Sequence, residues 1–334
     1  MNSILCVIPT KGRYDTTLPL AIQGVIYQTL LPDELIIFDD NDEPINLTRI
    51  PLYEFLFRTL DIKKVKWQVI FGKKRGQHYS HQTSQTLGYK FIWRIDDDTV
   101  PESNVLETLF SYMKEEVGAV GGSIITPPNF WEIKSTGKIE NITTESNIQW
   151  GPIKEPREVE HLHCSYLYRS GVQEFELGLS QVAHREETIH TYGIKRKGYK
   201  LLIVPCITYH YRNHSGGIRS NDKEEMYIHD EKIFNGYLKL WGINCDNKLV
   251  ILDNGIGDHY AARPCVAKLK EKYEKLTVAA CYPDIFWDEP DLNLISIQQA
   301  IDICGNIEPF NIYGWMERNQ WKKSIKEAYE RMYL

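Results

Sequence analysis

Apolar and polar positions come in alternating blocks along this chain. Residues 3–8 form a short apolar run closed by Pro9-Thr10-Lys11-Gly12-Arg13, the pattern of a buried strand entering a polar loop. Leu18, Ile22, Val25, Ile26 and Leu30 then recur at helical spacing over residues 16–30, and Pro32 follows the stop. Glu34-Leu35-Ile36-Ile37-Phe38 predicts a second strand, ended by Asp39-Asp40-Asn41-Asp42. Residues 66–71 predict a third strand and 77–90 a polar helix. Phe91-Ile92-Trp93-Arg94-Ile95 predicts a buried strand that runs straight into Asp96-Asp97-Asp98. Strands alternating with helices predict an α/β fold with a doubly wound, mostly parallel sheet. Ligands of such sheets sit beyond the carboxyl ends of the strands.

Further along, residues 105–113 read as a helix and 118–125 as a tight turn into a strand. Residues 126–160, which include Trp131 and Trp150, show no clear period. From Ser180 apolar and aromatic positions return at helical spacing up to a Gly198 stop, with Glu186 and Glu187 in the first turn. A helix dipole favours carboxylates there, which is a sufficient structural reason for the pair. Residues 201–205 predict a strand, 207–219 a His- and Gly-containing stretch after it, and 220–245 a charged helix. At Lys248 the pattern restarts: a strand, a Gly255-Ile256-Gly257-Asp258 turn, a helix over 265–273 and a strand over 276–280. The expected division is one α/β domain over 1–245 and a second, smaller Rossmann-like α/β module over 246–334.

Composition narrows the classes. A chain of 334 residues with 42% hydrophobic content can bury the cores of two domains. The 20 Tyr and 8 Trp suit a carbohydrate-facing cleft and equally a stacked interior. A formal charge of −6 argues against nonspecific nucleic-acid binding, leaving room only for a local basic groove. Seven Cys, an odd number without any CxxC pair, read as reduced thiols of a cytosolic protein. No apolar run is long enough to span a membrane and no signal peptide opens the chain, so the expectation is a soluble, cytoplasmic protein of a bacterium or a phage-infected host.

The chemistry concentrates in the carboxylates. Three adjacent Asp side chains repel one another unless something cationic neutralises them. Alternate residues of an extended chain point the same way, so Asp96 and Asp98 can share one Mg²⁺ or Mn²⁺. A solvated acidic turn is the competing reading of a bare triplet. Polar clusters at three strand ends (Thr10 to Arg13, Asp39-Asp40, Asp96 to Asp98) favour a site on one rim of the sheet.

Taken together, Ile8-Pro9-Thr10-Lys11-Gly12-Arg13, Ile36-Ile37-Phe38-Asp39-Asp40 and Trp93-Arg94-Ile95-Asp96-Asp97-Asp98-Thr99 resemble family 2 glycosyltransferases of the A-type fold (GT-A). The resemblance implies that Pro9, Thr10 and Arg13 edge the nucleotide of a nucleotide-diphospho-sugar. Asp40, with Asp39 as the alternative, would accept a base N–H, and Asp96 and Asp97 would stand by the ribose or donor sugar. Asp98 would ligate the divalent cation, with Asp96 as an alternate. His210, with His214 as the competing choice, would complete its shell. Arg212 and Arg219 would touch phosphate, and Gly216-Gly217 would belong to a loop closing over the diphosphate. Lys73, Lys74 and Arg75 could add positive charge nearby. The second member of the acidic pair, Glu187, would be the general base of an inverting transfer. The family often carries an Arg where this chain has Gly193, which leaves base positioning in question. Residues 246–334 resemble the first half of heptosyltransferase-like, B-type (GT-B) enzymes. The donor-binding lobe of that type has no room here, which implies a structural or acceptor-docking role.

The function expected is metal-dependent transfer of a sugar, from a UDP-sugar in the first instance, to an acceptor hydroxyl. A glycan and a hydroxymethylated DNA base of phage type are both candidate acceptors. Lys195-Arg196-Lys197 with Arg212 and Arg219 is the sequence's hint of a basic groove for the latter. The competing classes are a nucleotidyltransferase, for which Pro-Thr-Lys-Gly-Arg is a poor phosphate loop, and a non-catalytic nucleotide-sugar-binding module.

Overall fold

The computed structural model describes residues 3–71, 75–127, 152–211, 217, 224–243, 247–273, 275–304, 307 and 310–334. The first apolar run forms β1 (Ile4–Thr10), buried along its whole length. It is followed by α1 (Leu18–Ile26), β2 (Glu34–Asp39), α2 (Pro51–Ile62), β3 (Lys66–Phe71), α3 (Gln77–Gln85) and β4 (Phe91–Arg94). Then come β5 (Thr99–Pro101), α4 (Val105–Ser111), β6 (Val117–Ile125), β7 (Arg157–Val159), β8 (Tyr166–Arg169), α5 (Glu186–Arg196), β9 (Lys200–His210) and α6 (Glu224–Leu240).

β1 is apolar throughout because both of its faces are covered. Ile4, Cys6 and Ile8 join one core with Leu18, Ile22 and Val25 of α1 and Leu56 and Leu60 of α2. Leu5 and Val7 point the other way, into a core with Phe38, Ile92 and Ile194. The strands form one sheet in the order β3-β2-β1-β4-β8-β6-β9-β5, with β7 also beside β9. β3, β2, β1 and β4 are parallel neighbours, as are β6 and β9. β8 runs antiparallel to β4 and β6, and β5 and β7 run antiparallel to β9. The fold is thus α/β, as expected.

Two local readings change. The glycine-rich stretch 118–125 is strand, not turn, throughout β6. Its glycines answer close packing: a Cβ on Gly122 would lie 2.7 Å from the Cys206 carbonyl oxygen, and one on Gly118 would lie 2.3 Å from Ile194 Cγ2. β9 does not stop at Pro205 but continues to His210. The β6–β9 register shifts between Gly121↔Ile203 and Ser123↔Ile207, so Pro205 sits at an irregularity where no ladder N–H is demanded of it.

Among the described residues the chain divides into two compact units, the first ending at Tyr237 and the second running from Leu238 to Leu334. The second contains β10 (Asn247–Leu252), α7 (Ile256–Lys272), β11 (Lys275–Ala280), β12 (Asn293–Ile295), α8 (Ile297–Cys304), α9 (Ile312–Arg318) and α10 (Ile325–Tyr333). Its three strands are parallel in the order β10-β11-β12. Leu252, Leu269, Val278, Phe310 and Tyr329 belong to a core of its own. The helix expected from residue 265 begins at Ile256 instead. The Asp258 carboxylate accepts the Gly255 N–H at 3.1 Å, so Gly-Ile-Gly-Asp is a helix start rather than a free turn. No helix of the described residues is long and apolar enough to cross a membrane. Cys6, Cys164, Cys206, Cys265 and Cys281 are not joined in disulfides.

Candidate functional site

The parallel register of β1, β2 and β4 brings three polar strand ends to one rim, with Thr10 beside Asp39. Thr10 Oγ1 donates to Asp97 Oδ2 at 2.8 Å, and the Lys11 amide donates to the same oxygen at 3.3 Å. Arg13 Nη1 reaches the other Asp97 oxygen and stands 3.0 Å from Asp98 Oδ2. Asp39 is buried and accepts from the Tyr14 hydroxyl and from the Asn41 side chain and amide. Asp40, also buried, accepts the amides of Arg75 and Gly76 at 3.0 and 2.8 Å. Pro9 is buried within β1 opposite Phe38. The Gly217 amide donates to the Lys11 carbonyl at 2.7 Å, with a left-handed φ of 89°. A Cβ at Gly217 would lie 2.6 Å from Arg13 Nη2, so only glycine fits against that guanidinium.

The aspartate triplet is not extended. Thr99 N–H donates to the Asp96 carbonyl at 3.1 Å, closing a turn, and it is this turn that brings Asp96 and Asp98 near each other. The chain resumes as β5, whose antiparallel pairing sets Thr99 opposite His210. That register places His210 Nε2 3.4 Å from Asp98 Oδ1. His210 is therefore the last residue of a strand and not, as the sequence suggested, a residue beyond it.

Beneath the triplet lies a wholly buried Arg94. Its Nη1 donates to Glu186 Oε1 at 2.8 Å, and its Nη2 stands 3.1 Å from Asp96 Oδ1 and 3.5 Å from Glu187 Oε1. α5 starts at Glu186, after Arg185 in the left-handed region with φ 68°. Both carboxylates of its first turn thus face Arg94. Burial pushes Glu186 up to about 7 against the pull of that arginine. Glu187 behaves oppositely. Burial alone would raise it, but His163, Arg94 and the Cys164 amide hold it well below the usual carboxylate range. Of these two adjacent carboxyls with opposed tendencies, Glu187 is the one held as the carboxylate. Burial, with Glu187 and Asp98 close by, raises Asp96 despite Arg94.

His163, Cys164 and Glu187 complete this side. Glu187 Oε2 is 3.2 Å from His163 Nδ1, and its Oε1 accepts the Cys164 amide at 2.9 Å. Asp96, Asp98 and His210 each offer a ligand atom within 4.8 Å of the others. Two carboxylates and an imidazole are donors that Mn²⁺ or Mg²⁺ accepts, so the residues present fit such a cation.

The structure therefore gathers Thr10, Arg13, Asp96, Asp97, Asp98, Glu187 and His210, with Asp39 and Asp40 at the neighbouring strand end. Lys73, Lys74, Trp131, Trp150, Arg212, His214, Gly216 and Arg219 lie outside the described residues. Lys195 is engaged with Glu158 at 3.2 Å and Lys197 with the Val172 carbonyl. Gly193 packs on Gln173, whose Cδ would be 2.6 Å from a Cβ, so a longer side chain has no room there without displacing it. Arg94, His163 and Cys164 received no role from the sequence. An arginine inside an otherwise apolar strand was the one signal that could have marked the first.

A model of glycosyl transferase family 2 matches residues 5–172. No curated protein sequence matches the chain. Among solved structures the chain is similar to GalNAc-T7, crystallised with UDP, GalNAc and Mn²⁺, at 14% identity and a TM-score of 0.56 over 95% of this chain. The match spans 58% of that protein. It is also similar to residues 1–349 of S. aureus TarS, at 12% identity and a TM-score of 0.43, covering 63% of this chain and 60% of that one.

Proposed function

The chain belongs to glycosyl transferase family 2, and on that premise we propose that it transfers a sugar from a UDP-sugar to an acceptor hydroxyl with inversion. One observation carries the reading. Ligand atoms of Asp96, Asp98 and His210 lie within 4.8 Å of one another, and those of Asp96, Cys164 and Glu187 do the same. A cation-binding set and a carboxylate base therefore share Asp96.

Asp98 and His210, with Asp96, would hold Mn²⁺ or Mg²⁺. When bound, such a cation stabilises the negative charge that a diphosphate leaving group develops. The chain's own residues supply the rest. Pro9 to Arg13 and Asp39-Asp40 edge the nucleotide. Arg13 holds Asp97 and Asp98 in place through one guanidinium nitrogen. Glu187, kept ionised by His163 and the Cys164 amide, takes the acceptor hydroxyl's proton as that oxygen attacks the anomeric carbon. Arg94 fixes the base by holding Glu186 and Asp96 on either side.

UDP in the GalNAc-T7 structure supports a uridine donor by analogy of fold alone. The test is a screen of nucleotide-sugars for turnover with and without Mn²⁺. UDP release that requires the metal is expected. Release of pyrophosphate would instead mark a nucleotidyltransferase.

A further inference from the structure

His210 stands between a carboxylate and a thiol. Its Nε2 is 3.4 Å from Asp98 Oδ1, and Cys164 Sγ lies beside the ring, 3.4 Å from Nδ1 and 3.9 Å from Nε2. The carboxylate belongs to the hard-cation set described above. The thiol does not, and nothing in a sugar transfer calls for a sulfur there.

His163, Cys164 and His210 themselves form a group whose ligand atoms lie within 4.8 Å of one another. A tetrahedral zinc with one sulfur and one imidazole ligand separates those two atoms by about 3.5 Å. The Cys164–His210 pair already has that spacing. We propose that His163, Cys164 and His210 bind a thiophilic divalent cation, of which Zn²⁺ is the representative, as an alternative to the Mn²⁺ or Mg²⁺ ion. The fourth position is left to water or to a carboxylate oxygen of Asp96 or Glu187, both within 4.8 Å of the sulfur.

Two further observations point the same way. Metal-bound histidines characteristically donate their other ring N–H to a carboxylate, which fixes the ring. Both histidines here have that carboxylate: His163 Nδ1 is 3.2 Å from Glu187 Oε2, and His210 Nε2 is 3.4 Å from Asp98 Oδ1. The second observation is the backbone of Cys164, a non-glycine residue at φ 54°, a conformation L side chains rarely adopt. It is pinned there by the hydrogen bond its N–H donates to Glu187 Oε1, which leaves a buried thiol beside His210. Coordination replaces the S–H bond by an S–metal bond and releases the proton to solvent.

His210 belongs to both groups of ligand atoms, so occupancy by Zn²⁺ withdraws it from the hard cation and inhibits transfer competitively with Mn²⁺. This consequence rests on the proposed function; the binding itself does not.

Co²⁺ is the probe, because a thiolate ligand gives it a near-ultraviolet charge-transfer band. The full chain titrated with Co²⁺ is expected to develop that band at one metal per chain, and Zn²⁺ is expected to bleach it. Cys164→Ser should abolish the band and weaken Zn²⁺ at least about a hundredfold, whereas Cys281→Ser, at an exposed thiol, should keep it. Should Cys164→Ser fail to fold, His163→Gln provides the second arm, with Zn²⁺ affinity lowered at least tenfold. No band with the folded wild-type chain, a band that survives Cys164→Ser, or Zn²⁺ affinity unmoved in His163→Gln would overturn the proposal. Asp98→Ala separates the two readings: it should remove Mn²⁺ binding and keep the cobalt–thiolate band. If Mn²⁺ binding persists in Asp98→Ala while the band behaves as expected, the hard-cation assignment fails and the thiol site stands.

Discussion

β4 and β10 both run a buried apolar strand into a polar cluster, yet the two clusters handle their charge in opposite ways. After β10, the Asp258 carboxylate takes the Gly255 amide on one oxygen and the Tyr313 hydroxyl, at 2.8 Å, on the other. Asn254 and Asn311 bond each other at 2.9 Å beside it. These polar atoms are matched by neutral donors, and what they make is a helix start. After β4, Asp96, Asp97, Asp98, Glu186 and Glu187 gather around the guanidinium groups of Arg13 and Arg94, with His163 and His210 beside them. Carboxyls packed that closely repel one another when ionised, and cationic partners offset the repulsion. A strand-end carboxylate is therefore no evidence of chemistry by itself. Several of them gathered on buried arginines and histidines are.

Substitutions in the two clusters put this contrast to the test. The largest effect is expected at Asp98. Asp98→Ala should lower metal-dependent UDP release about a thousandfold, near 4 kcal/mol of transition-state stabilisation, read as kcat/KM at saturating Mn²⁺. Glu187→Gln should lower kcat about a hundredfold or more while donor KM stays within about twofold, because the base acts on the acceptor. Arg94→Met removes the partner of a fully buried Glu186. It should cost about 3 kcal/mol of stability, measured as a shifted denaturant midpoint. At the other cluster, Asp258→Ala should cost only about 1 kcal/mol and leave UDP release unchanged. Lost activity in that variant would mean that the second cluster also meets substrate.

The smallest effect concerns acid stability. Burial works against the charge of Glu231, but Arg185 at 2.7 Å and His184 at 2.8 Å hold it down to about 2. A carboxylate depressed in the folded chain contributes stability above its unfolded value of about 4.3, and that contribution is lost as pH falls toward 2. Glu231→Gln should therefore lower stability at pH 7, flatten the acid limb of the stability curve between about pH 4.5 and 2, and converge with the unsubstituted chain at the acid end.

Much of the rim was legible because it is local. Each strand of the parallel half is one apolar run, and each carboxylate cluster follows its run directly, so position along the chain already gives position in the sheet. What stayed hidden depends on pairing between distant segments. β8 is four residues, Tyr166–Arg169, inserted antiparallel between β4 and β6, and no pattern around it announces a strand. Without β8, nothing brings His163 and Cys164 to Glu187. Arg94 reads as one more residue of a buried strand, and only the fold shows α5 delivering two carboxylates to it. Pro205 reads as a stop unless the irregular register with β6 is known, and the length of β9 beyond it decides where His210 stands.

If the turn after β4 and the end of β9 form one cation site that receives a diphosphate, electron paramagnetic resonance of Mn²⁺ titrated with the full chain will read it. One bound ion per chain is expected, lost in Asp98→Ala, and its affinity should rise when UDP is added. Mn²⁺ binding that is indifferent both to UDP and to Asp98→Ala would contradict the account.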